Sequence, residues 1–142
     1  MSLPPISDLT VRVNYSEVDQ MGVVYHARYI VWLDMARTEH LRRAGTTYRE
    51  MEVSGYRLVV GELQMRYRQP ARYDDLVRIR CWVRELASRK VTFGYAIELP
   101  DDGRLLATAT TAMLVLSAEM TPTRLPDDIR SVLMEVPDPV RL

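Results

Sequence analysis

The sequence holds a single cysteine, Cys81, and two histidines, His26 and His40. An internal disulfide is therefore excluded, and too few soft ligands remain for a structural zinc site. No stretch approaches the roughly eighteen uninterrupted apolar residues that mark a membrane-crossing helix. Net charge is also missing: nineteen basic residues face nineteen acidic ones. No global field gathers nucleic acid or an anionic membrane, so an anionic ligand has to be held by a local cluster. Lysine is nearly absent, since every basic residue except Lys90 is arginine, whose planar fork suits phosphate and carboxylate. Residues 1–5 carry neither a charged n-region nor an apolar h-region. With the lone cysteine, this predicts a soluble protein of the reducing cytoplasm. Gly-x-Ser-x-Gly, Rossmann and phosphate-loop motifs are lacking, and neither metal nor cofactor is expected.

What is present reads as one globular domain over residues 1–142, with 47% hydrophobic and 27% charged residues. Leu9, Val11, Val13 and Tyr15 alternate with polar residues and predict a strand over 9–15. Residues 16–22 break the alternation and predict a loop leading into a helix. Tyr29, Trp32, Leu33, Ala36, His40, Leu41 and Ala44 recur at helical spacing, closed by Gly45. The first half of that helix is apolar nearly all round, as a helix wrapped by a sheet should be. Residues 46–53 predict a short second helix. Four further alternating runs follow, at 63–67, 77–83, 91–99 and 106–116. Pro70 stops the first, and Pro100-Asp101-Asp102-Gly103 makes a hairpin-type turn between the last two. The expected architecture is α+β: a five-stranded antiparallel sheet, its later strands meandering, curled round one long helix. The proline-rich end, 122–139, reads as a surface tail with one helical turn near 129–134.

The stretch Tyr15-Ser16-Glu17-Val18-Asp19-Gln20-Met21-Gly22-Val23-Val24-Tyr25-His26-Ala27-Arg28-Tyr29 resembles the hot-dog thioesterases of the 4-hydroxybenzoyl-CoA thioesterase and YbgC type. Trp32-Leu33-Asp34-Met35-Ala36-Arg37-Thr38-Glu39 is similar to that family's helix, and Tyr67-Arg68-Gln69-Pro70-Ala71-Arg72-Tyr73-Asp74-Asp75 to its strand and turn. The resemblance spans residues 10–126. It implies a hot-dog fold, an acyl-CoA substrate and a homo-oligomer, dimer or tetramer. It also implies that Asp19 is the catalytic carboxylate, as nucleophile or as general base on water. The backbone N–H at His26, where the helix is expected to begin, would polarise the thioester carbonyl. The turn Ser88-Arg89-Lys90 would meet the CoA phosphates, with Arg124 a weaker candidate. Tyr25, Tyr29 and Trp32 are candidates for lining an acyl pocket.

The residues themselves are compatible with this chemistry. Thioester hydrolysis needs a group that delivers or activates water and a donor aimed at the oxygen that gains charge. A helix N-terminus supplies unpaired N–H groups and partial positive charge. Each candidate also has a plainer reading: Asp19 as a turn former, His26 as a helix starter, Arg89 and Lys90 as solvated cations. Glu17 is expected to be a solvated neighbour, His40 a partly buried hydrogen-bonded histidine, and Cys81 a small core residue. A non-catalytic acyl-CoA binding module on the same fold is the competing function. A further alternative is a different hot-dog enzyme, either a hydratase or a thioesterase whose carboxylate lies on the helix, at Asp34 or Glu39.

Overall fold

A computed structural model describes residues 5–142. Residues 1–4, on which the expectation about the N-terminal opening largely rests, lie outside the described residues. The chain runs β1 (Ile6–Arg12), a 3-10 turn (Tyr15–Glu17), α1 (Arg28–Ala44), α2 (Tyr48–Val53), β2 (Tyr56–Tyr67), β3 (Leu76–Leu86), β4 (Lys90–Leu99), β5 (Arg104–Ser117) and α3 (Asp127–Arg130). The strands form one antiparallel sheet in the order β1-β3-β4-β5-β2. Helix α1 packs on β1 and β3. Its Trp32, Leu33 and Leu41 share a core with Ile79, Val83, Phe93 and Ile97 of the sheet. This is the α+β hot-dog arrangement, with no helix long and apolar enough to cross a membrane among the described residues.

Helix α1 stops where the sequence says it should. Gly45 adopts φ 107° and its N–H returns to the Leu41 and Arg42 carbonyls, a left-handed closure that glycine takes without a Cβ penalty. Thr47 caps α2 by accepting the Glu50 N–H at 3.0 Å. The sheet packs round α1 as expected but does not cover it on every side: Ile30 and Val31 are 40% and 42% exposed. The apolar ring reflects a second, outward apolar side. The inward face in turn accepts Arg37 and His40.

Strand ends and partners differ from the sequence reading in four places. Strand β1 ends at Arg12, and Tyr15 is exposed in the 3-10 turn, because the Asn14 N–H is taken by the Glu17 carboxylate at 2.8 Å instead of a ladder. Strand β2 begins at Tyr56, well ahead of Leu63. A bulge between Val60 and Glu62 shifts the phase, so Tyr56 and Leu58 face the core before it and Leu63 and Met65 after it. Period-two counting breaks at such an insertion. The meander holds only for β3, β4 and β5. Strand β2 pairs with β5 at the far edge, so residues 68–75 cross to β3. Finally, the tail is more than surface: Leu125, Ile129 and Leu133 are buried, its helical turn is Asp127–Arg130, and Val136 donates to the Val83 carbonyl at 3.0 Å.

Candidate active site

The loop carrying Asp19 is closed by backbone hydrogen bonds. Tyr25 N–H donates to the Glu17 carbonyl at 2.8 Å, Asp19 N–H to Val23 at 2.9 Å, and Gly22 N–H to Asp19 at 3.0 Å. Gly22 sits at φ 78°, which a residue with a Cβ seldom adopts. The Asp19 Oδ1 accepts the Met21 N–H at 2.8 Å. The carboxylate is thereby oriented by its own turn, beside a cleft of about 290 Å3 lined by Asp19, His26, Tyr29, Tyr67, Arg68, Gln69 and neighbouring apolar residues.

His26 reaches this cleft too, although α1 begins at Arg28 with Ala27 as its cap, so His26 precedes the helix by two residues. Among the described residues the His26 N–H has no hydrogen-bond partner. Its carbonyl accepts the Tyr67 hydroxyl at 2.8 Å, which ties this corner to the end of β2. Tyr29 is buried and its hydroxyl accepts the Ala71 N–H at 3.0 Å. Burial, partly opposed by that bond, holds its phenol above the ordinary value. Tyr25 differs: it is exposed, its ring lies 4.5 Å from that of His26, and it does not line the cleft.

Arg89 and Lys90 are not brought to Asp19 within one subunit. Lys90 stands opposite Leu114, at the Val59 end of β2, whereas the cleft lies at the Tyr67 end, level with Ala107 and Ile97. At about 3.3 Å per residue along β4, Lys90 and Ile97 are roughly 23 Å apart. Arg124 is exposed and does not line the cleft either. The helix carboxylates are otherwise engaged. Asp34 accepts from the Arg37 guanidinium and Glu39 pairs with Arg43 at 3.2 Å.

Glu17 contradicts its expected solvated place: it is 8% exposed. No sequence signal announces this, because its partner, Trp32, donates to it at 3.0 Å from a position that only folding brings close. Tyr67, Arg68 and Gln69 were likewise missed as cleft residues, although they open the strand-and-turn stretch that carries the resemblance. The plainer expectations for two residues hold. Cys81 is a fully buried free thiol that burial pushes well up. His40 is buried and meets Ser7 Oγ at 2.7 Å. Trp32, a candidate for the acyl pocket, is instead core and does not line the cleft.

Comparison with known proteins places the chain in a family and a fold. A model of the thioesterase-like superfamily matches residues 13–133. The acyl-CoA thioesterase YbgC of Haemophilus influenzae is 32% identical over 123 residues, 85% of this chain and 89% of that one. Among solved structures, the hypothetical protein TT1821 from Thermus thermophilus superposes with a TM-score of 0.85 at 39% identity, over 89% of this chain and 96% of that one. The DHNA-CoA thioesterase from Staphylococcus aureus gives 0.84 at 27% identity, over 89% and 87%.

Proposed function

The chain belongs to the thioesterase-like superfamily, and from that premise we propose that it hydrolyses an acyl-CoA thioester to the free acid and CoA, with Asp19 as the reacting carboxylate. The reading is supported by Asp19 and His26 both lining one cleft, with no hydrogen-bond partner on the His26 N–H among the described residues. The thioester carbonyl sits against that N–H and the adjoining start of α1, where partial positive charge meets the oxygen that gains electrons. Asp19 either takes a proton from the attacking water or attacks the carbonyl itself, giving an anhydride that water then opens. In both routes the C–S bond breaks and the sulfur leaves as the CoA thiolate, which takes up a proton. Tyr29, Tyr67 and the apolar residues beside them hold the acyl group.

A homo-oligomer in the cytoplasm completes the proposal. A groove of about 220 Å3 lined by Ile30, Val31, Val60 and Leu63 leaves apolar surface beside the free edge of β2, which suits a second copy. A partner's Arg89 and Lys90 would then add phosphate contacts at a cleft whose lining within one subunit offers Arg68 as its cation. Cys81 as a free thiol suits a reducing compartment.

The test is free-thiol release from a panel of aliphatic and aromatic acyl-CoA esters. Asp19→Asn, near-isosteric but uncharged, is expected to lower turnover by roughly two to four orders of magnitude with the fold intact. Asp34→Asn and Glu39→Gln are expected to retain turnover. Binding of every ester without turnover would favour a non-catalytic module, and unchanged turnover in Asp19→Asn would remove Asp19 from the chemistry.

A further inference from the structure

Glu17 is a carboxylate taken out of water, which costs free energy unless its oxygens are fully engaged. They are. Oε1 accepts the Asn14 N–H at 2.8 Å, and Oε2 accepts the Trp32 indole N–H at 3.0 Å with Arg28 Nε at 3.8 Å. The Glu17 side chain does not line the cleft, so acid–base chemistry is not its office. Its contacts are mechanical: Asn14 belongs to the end of the β1 segment, while Arg28 and Trp32 lie one turn apart on α1. Its own carbonyl accepts the Tyr25 N–H, the donor immediately before His26. Residues 17–25 thus form a closed loop with Glu17 at the stem, pinned inside by the Val18–Val24 bridge and the Asp19 to Val23 hydrogen bond. Asp19 lies on one arm of the loop, and the His26 N–H follows the other.

From this closure we infer that Glu17 is a positioning residue for thioester hydrolysis, setting the place of the Asp19 carboxylate relative to the His26 N–H. The inference rests on the reading of Asp19 given above. An exchange to glutamine preserves volume but turns an NH2 toward either the Asn14 or the Trp32 donor, since an amide has only one accepting oxygen. One hydrogen bond is lost, the stem shifts, and the two reacting groups move apart, where a displacement of about 1 Å costs up to roughly a hundredfold in rate.

The experiment measures kcat and KM for one turned-over acyl-CoA ester in the wild type, Glu17→Gln, Trp32→Phe, Asp19→Asn and Leu133→Ala. Leu133, the buried leucine by which the C-terminal segment joins the core, serves as a stability control whose melting temperature falls without loss of kcat. Glu17→Gln is expected to lower kcat about tenfold or more with KM within about twofold. Trp32→Phe, which removes one donor and leaves the carboxylate, is expected to lower kcat several-fold in the same pattern. It reads the same contact should Glu17→Gln fail to fold. If Asp19→Asn is inactive while a folded Glu17→Gln, or Trp32→Phe in its stead, keeps kcat within about twofold as Leu133→Ala does, the inference is overturned and Asp19 stands. If Asp19→Asn retains turnover, the reading of Asp19 falls and the inference with it.

Discussion

His40 is a base that folding holds neutral. Burial, and after it the Arg43 cation, push its imidazole down to about 4 from 6.5, against an opposing hydrogen bond to the Cys81 backbone carbonyl. Between these two values the unfolded chain binds a proton that the native one refuses, so stability is fully present above about pH 6.5 and falls as the pH drops toward 4. On the order of 2–3 kcal/mol is at stake. Melting temperature followed from pH 7 to 4 is expected to decline along this limb, and His40→Gln to flatten it; an equal decline in both proteins would refute the assignment. Buried polar residues on this helix are held by specific partners. Burial opposes the Arg37 charge, yet the Tyr95 and Tyr48 hydroxyls more than offset it and keep the guanidinium firmly protonated. Neither partner is visible from spacing along α1. Helical periodicity places a side chain on a face, whereas these hydrogen bonds come from other elements, Tyr48 of α2 and Tyr95 of β4 for Arg37 and Ser7 of β1 for His40.

Among the elements, the C-terminal segment departs furthest from what its composition suggests. Its prolines and charges read as solvated chain, but Leu125, Ile129 and Leu133 occur at four-residue spacing and all three are buried. Leu125 N–H donates to the Ser88 carbonyl at 2.7 Å. Farther on, Asp138 accepts the Trp82 indole N–H and the Arg84 guanidinium, each at 3.0 Å. The indole is held against Gly94, where an added Cβ would stand 2.5 Å from the ring. The segment is thus a strap over the sheet as well as an edge of the core. Leu133→Ala is expected to cost about 2–4 kcal/mol, the usual range for a large-to-small change at a buried leucine. Urea denaturation measures it, and a loss below about 0.5 kcal/mol would show that the strap is loosely held in solution. Strand β2 shows the same limit in another form. Its two halves each alternate, but Gly61 at the bulge puts them out of phase, so only the second half was legible.

For the whole molecule, the exposed valine at position 60, on the free edge of β2 and beside Ile30 and Val31 of α1, bears on assembly. Val60→Asp is expected to lower the mass seen by light scattering and, if a partner's Arg89 and Lys90 meet the CoA phosphates, to raise KM for CoA esters. A wild type that is monomeric at assay concentration would remove this part of the proposal. Strand periodicity, helix spacing and the terminating Gly45 were enough to specify α1 and stretches of all five strands, because each is a local pattern that one element satisfies alone. The Asp19 loop was legible for a comparable reason: its turn residues and the approach to the helix lie within one short run of chain. Only the tertiary structure decided that β2 pairs with β5, that Glu17 is buried against Trp32, that the tail joins the core, and that Arg89 and Lys90 stand at the opposite end of the sheet from Asp19. These are long-range pairings, chosen by which apolar faces and buried polar groups satisfy one another once the chain has closed, and no period along the sequence encodes them.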